Sequence, residues 1–281
     1  MNRPNGWFVN LLLAAAVAGA TYASPPTATY LAPDRHVAGL GEAVELRFVA
    51  GAAKDAPATR WPSDQVKLML VRSGGTQQNR HAVRPARDTD NFVKVDIVQP
   101  GVTVIGVDQQ PVLLDMTGAE LRTFVERNVG DAVAIEKAGA LKDDQKLHVR
   151  HFASAKTLIR VPAEKGGLRP SALATSKTTL TVELRLGLDP TAVKVGSDVP
   201  LTVYIDGIKK EGIKIEATNI AACKTSAFHA VGAGTGYFPL TDAGIWRVAF
   251  EHAEPVTDDP AADWAIYSGT LTFEAAKGAG Q

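Results

Sequence analysis

The chain lacks disulfide chemistry, an excess of charge of either sign and a bilayer-length apolar run. Cys223 is the one cysteine in 281 residues, so no disulfide can close within the chain and its stability has to come from packed cores. A buried, inert thiol is the plain expectation for Cys223; an intermolecular disulfide or a soft metal ligand is the alternative. Lys and Arg number 30 and Asp and Glu number 30. This balance argues against a basic nucleic-acid stripe and against a charged disordered tail. Common catalytic signatures are missing as well. There is no phosphate loop and no serine elbow. Gly232-Ala233-Gly234-Thr235-Gly236 has glycine spacing without a strand–turn–helix context, and reads as a sandwich loop.

One short apolar stretch does occur, at Trp7–Ala20. Arg3 precedes it, and Thr21 and Ala23 stand at the two positions that a signal peptidase reads. Residues 1–23 therefore read as a secretory signal peptide. The uninterrupted apolar part is about ten residues, against roughly 20 for a membrane helix. The expectation is export to the periplasm, with no stable membrane span after cleavage. A membrane anchor is the alternative.

Alternation at period two dominates the mature chain. Val44, Leu46 and Phe48 share one face, as do Val66, Leu68 and Leu70, which is the pattern of half-buried strands. Phe92–Val98 and Gly101–Gln109 read as strands joined at Pro100-Gly101. Thr117 and Glu120 form a capping-box pair that predicts a helix over Thr117–Asn128, and Ala132–Ala138 reads as a second helical piece. Further on, strands are expected at Leu180–Leu184, Val199–Ile205, Gly212–Ala217, Ile245–Phe250 and Tyr267–Glu274. Asp206-Gly207 supplies a hairpin turn. The expected fold is mainly β, with two β-sandwich-like domains, the second immunoglobulin-like, and a short helix in the first. The expected boundaries are 24–165 for the N-terminal domain, 166–175 for a linker, 176–276 for the C-terminal sandwich and 277–281 for a tail.

Histidine is the best chemical lead, because imidazole suits divalent transition metals. His148 and His151 are three residues apart. On a helix their rings share a face; on a strand they lie on opposite faces and cannot chelate together. His252 stands among Glu251, Glu254 and Asp263, a set that reads either as a metal site or as an acidic loop beside a hydrogen-bonded histidine. The candidate metal ligands are thus His252, Glu251, Glu254, Asp263, His148 and His151. Lys156, in an apolar run, needs a carboxylate partner if it faces inward.

Four pieces of the chain, in order, resemble a known family. They are Ala28–Pro33 with Gly39–Val49, Ser154–Val161, Leu186–Val203 with Asp206-Gly207, and Thr241–Phe250 with His252 followed by Asp263-Trp264 and Thr270–Phe273. Their combination is similar to DUF4198, a family of exported proteins related to NikM-like periplasmic components of nickel and cobalt uptake. The resemblance implies two β-rich domains and a role in handling transition metals. His252 matches a family histidine, and Lys156 a family lysine. Thr27 and Ala28 stand where members carry a histidine and an acidic residue. The expected function is an exported, non-enzymatic accessory or binding protein, with a divalent transition metal as the implied cofactor and an envelope or metal-transport protein as the implied partner. A structural or protein-interaction module without metal, and an enzyme, are the alternatives.

Overall fold

The computed structural model describes residues 28–51, 58–81, 83–87, 89–162, 171–230 and 234–276. The expected signal peptide, tail and residues 166–170 of the expected linker lie outside them. The first half contributes β1 (Thr29–Pro33), β2 (Ala43–Ala50), β3 (Ala58–Thr59), β4 (Val66–Ser73), β5 (Thr76–Arg80), β6 (Phe92–Asp96), β7 (Gly101–Gln109) and β8 (Val112–Thr117). Then come α1 (Gly118–Asn128), α2 (Ala132–Gly139) and the long strand β9 (Lys146–Val161). The second half contributes β10 (Val182–Leu186), β11 (Asp198–Ile205), β12 (Ile208–Lys210), β13 (Ile213–Asn219), β14 (Lys224–Ala230), β15 (Thr235–Pro239), β16 (Gly244–Pro255) and β17 (Trp264–Ala275). The protein is mainly β, as expected.

A nine-stranded sheet forms the middle of the molecule, in the order β14-β13-β16-β17-β9-β7-β4-β5, with β8 paired to the start of β9. β9 and β17 run parallel, from Trp264 opposite Val149 to Thr272 opposite Thr157. Hydrogen bonding therefore passes without a break between strands on either side of the expected domain boundary. Two four-stranded sheets cover the central one. One is β1-β2-β3 with β6 on β2; the other is β10-β11-β12 with β15 on β11.

The side-chain period of two sends successive central residues into different cores. Val104 and Leu158 pack with Leu184, Val203, Phe238 and Phe273 under the β10–β11 sheet. Ile105 and Ile159 pack with Leu46, Phe48, Trp61 and Val95 under the β1–β2 sheet. A third core joins Leu121, Phe124 and Val125 of α1 to Val149, Trp264 and Ile266. With a sheet on each side, β7 and β17 are buried almost throughout rather than on alternate residues. The two strands expected on either side of Pro100-Gly101 are present as β6 and β7, and this turn carries the chain from the β1–β2 sheet into the central sheet.

The local signals at α1 and at the β11–β12 turn are realised. Thr117 Oγ1 accepts from the Glu120 amide, and the Glu120 carboxylate accepts from the Thr117 amide. Asp206 and Gly207 both take positive φ, 50° and 76°, the pair of conformations a tight hairpin demands. Cys223 differs from expectation. It is exposed, in a turn at φ 53°, because the β13–β14 connection carries it outside every core.

Candidate functional site

The chemistry gathers where β9, β16 and β17 lie side by side. His151 on β9, Tyr267 and Ser268 on β17, and Glu251 and His252 on β16 all belong to this middle stretch. Strand geometry then divides them between the two faces of the sheet.

On the face under the β10–β11 sheet, His252 is buried and its ring lies 6.5 Å from that of Tyr267, while Phe152 stacks on Tyr267 at 5.1 Å. His252 Nε2 lies 3.5 Å from Glu254 Oε2, and its buried Nδ1 has no hydrogen-bond partner among the described residues. Lys210 Nζ donates to both Glu254 oxygens, at 2.9 and 3.1 Å. Hydrogen bonding from His252 and then from Lys210, working against partial burial, holds the Glu254 carboxyl down at about 2. Burial and the nearby carboxylates push the Tyr267 phenol well above its usual range. Farther along this face Lys156, 3% exposed, donates to Glu183 at 2.8 Å. Glu183 also accepts two bonds from the Thr178 amide. The partner that Lys156 required is therefore on β10.

On the opposite face, His151 Nε2 is 2.9 Å from Ser268 Oγ. Burial pushes His151 down to about 4, so the ring is neutral near pH 7. Glu251 lies across the ladder from Ser268. Burial raises its carboxyl to about 7, against the pull of Arg127, while Glu216 raises it further and Arg247 lowers it; the Ala28 amide donates to it. A cavity of about 260 Å³ opens here. Its floor is His151, Ala153, Ser154 and Ser268; its walls are Ala28 and Thr29, the Gln109–Gln110–Val112 corner, and Gln65. Thr270 and Thr272 donate to the carbonyls of Thr29 and Leu31 at 2.9 and 2.7 Å, which fixes β1 beside it.

The six expected ligands do not converge. The segment holding His148 and His151 is a strand, so their side chains leave opposite faces. His148 Nδ1 is 2.8 Å from Asp115, while its amide donates to Asp263. The stretch around His252 is not an acidic loop, because β16 continues through it to Pro255. Pleating therefore puts His252 and Glu254 on one face and Glu251 on the other. Among the described residues no group of three or more His, Cys, Asp and Glu side chains is placed to hold a metal ion. The cavity itself was missed, since its walls come from three segments with no common motif. The one sequence signal for it is His151 itself, on the same period-two face as Leu147 and Val149.

No protein-family model matches the chain, and no curated protein matches it.

Proposed function

We propose that this chain is an exported, non-enzymatic binding or accessory protein of the periplasm that holds a ligand against its central sheet. The cavity beside His151 and Ser268 carries this reading. It is a concave polar site on rigid strands, where binding groups are best held in place. Binding is favoured over turnover by the chemistry of His151. A base with a pKa of about 4 lies far from the operating pH at which general-base catalysis is efficient. The strand amides around it are also committed to the sheet ladder.

The test is thermal unfolding of the purified mature protein with fractionated small molecules from a periplasmic extract. A ligand at 100 times its Kd adds roughly 2.7 kcal/mol to stability, a clear rise in Tm. The rise should disappear in His151→Phe. Absence of a rise with every fraction, together with consumption of a compound in the extract, would replace the binding reading with an enzymatic one.

A metal-handling role is supported by the resemblance and by the unpartnered Nδ1 of His252. The Lys210 ammonium already occupies both oxygens of Glu254, the nearest carboxylate. Calorimetry with nickel, cobalt, copper and zinc, repeated on His252→Ala, decides this role. Saturable binding that weakens in the variant supports it; no saturable binding below millimolar concentration removes it.

A further inference from the structure

We propose that the cavity under β1 binds a small uncharged polyhydroxy compound, no larger than a single sugar ring. The proposal rests on the reading of the chain as a binding protein and names its ligand class.

Among the described residues, none that lines the cavity is a lysine, an arginine or an acid, and His151 stays neutral. Glu251, across the ladder from Ser268, is outside the lining. The hydrogen-bonding groups are Gln65, Gln109, Gln110 and Thr29, together with Ser268 and His151, which already share one bond at 2.9 Å. Each of these side chains both donates and accepts: a carboxamide has one end of each kind, a hydroxyl does both, and a neutral imidazole has one nitrogen of each. Gln109 Nε2 reaches Thr29 Oγ1 only at 3.5 Å, a weak contact that a ligand can replace. Ser154 adds no hydroxyl to this set, because its Oγ bonds to Asp108 and to the Val182 amide. Ala28, Val112 and Ala153 supply small apolar patches between the polar groups. A wall of this kind matches a solute whose own groups both donate and accept, which is the property of hydroxyls on a carbon skeleton. A charged ligand would lose hydration here without gaining a counter-charge. At about 260 Å³ the space falls below the roughly 300 Å³ lower end of drug-sized sites, which limits the ligand to one ring.

The experiment uses the mature protein with saturation-transfer NMR and calorimetry. The probes are glucose, mannose, galactose and inositol, with gluconate and glucosamine as charged counterparts. Acetamide and an N-acetyl dipeptide amide form a third arm. The expected result is saturable binding of at least one neutral polyhydroxy probe, with its charged counterpart at least tenfold weaker. Gln110→Leu, at an exposed corner, should weaken binding at least fivefold with Tm unchanged, and Ser268→Ala should weaken it similarly. Methyl glycosides separate a free sugar from the end of an envelope polysaccharide, since only a chain-end site tolerates the blocked anomeric oxygen; tight binding of either form supports the proposal. Binding of the amides alone, lost in the same variants, overturns the polyhydroxy class and leaves the binding-protein reading standing. Tight binding of a charged probe also overturns the class. If no probe of any arm binds, the proposal is overturned, and the extract-based unfolding test then decides the binding reading separately.

Discussion

The two faces of the β9–β17 pair handle buried polar groups in opposite ways. Under the β10–β11 sheet, charge meets charge: Lys156 with Glu183, and Lys210 with Glu254. Under β1, neutral groups surround a cavity, and burial raises the carboxyl of half-buried Glu251 beside it to about 7. The first arrangement fastens an outer sheet to the central one. The second leaves hydrogen-bonding capacity for something else. On the binding reading, the second face is the one that takes a ligand, although Thr270 and Thr272 also tie β1 to it.

The sharpest way to break this comparison is Lys156→Met. It strands the Glu183 carboxylate in the core and should cost about 3–5 kcal/mol, the usual penalty for an uncompensated buried charge. Urea unfolding measures it, and adding Glu183→Leu should recover much of the loss. A loss below about 1 kcal/mol, the range of an exposed pair, would show that the pair fastens nothing.

Glu251 gives the next largest effect, through pH. Its folded pKa of about 7 lies above its ordinary 4.5, so between these values the folded state keeps a proton that the unfolded state releases. The resulting stability is full below about pH 4.5 and is lost as pH rises through 7. Glu251→Gln should therefore be more stable than the parent by about 2–3 kcal/mol at pH 8, with little difference at pH 4.5. Buried His36 and His151, both pushed to about 4, act with the other sign. Their contribution is full above about pH 6.5 and is lost as pH falls toward 4. Unfolding free energies from pH 4.5 to 8 separate the two effects, and a flat difference between Glu251→Gln and the parent would contradict the assignment.

Gly269 tests packing between β16 and β17. A Cβ there would lie 3.0 Å from Cζ of Phe250 and closer still to Cε1. Gly269→Ala should destabilise by about 1–3 kcal/mol through overpacking, seen as a lower urea midpoint at constant m-value. The smallest stability effect is expected for Ser268→Ala on the cavity side, about 1 kcal/mol for one neutral hydrogen bond. If it cost as much as Lys156→Met, the two faces would not differ in kind.

Local signals in the sequence carried much of the fold. The Thr117–Glu120 capping box and the Asp206-Gly207 turn are decided by neighbours a few residues away, and both are present as read. Strand β14 was not legible: Lys224–Ala230 forms an edge strand whose exposed start has no apolar alternation to reveal it. The His148–His151 segment does alternate, with Leu147, Val149 and His151 buried and Lys146 and His148 exposed, but two apolar residues are too few to tell a period of two from a helical one. The continuation of β16 through His252 is hidden because Glu251, His252 and Glu254 put polar side chains on both faces. The candidate ligands meet only in pairs, His252 with Glu254 and the His148 amide with Asp263, whereas the cavity residues are gathered in space from segments scattered along the chain.

The position of β17 has a consequence for how the chain reaches its native state. This strand, at residues 264–275, sits in the interior of the central sheet, with β16 on one side and β9, more than 100 residues earlier, on the other. Until it inserts, β9 and β16 each present an unpaired ladder edge lined with core side chains, the kind of surface that recruits other chains. Closing a parallel pair over so long a separation is entropically slow. A chain that emerges amino terminus first therefore has to wait for one of its last strands before its central sheet can close, and during that wait its main hazard is pairing with a second copy of itself.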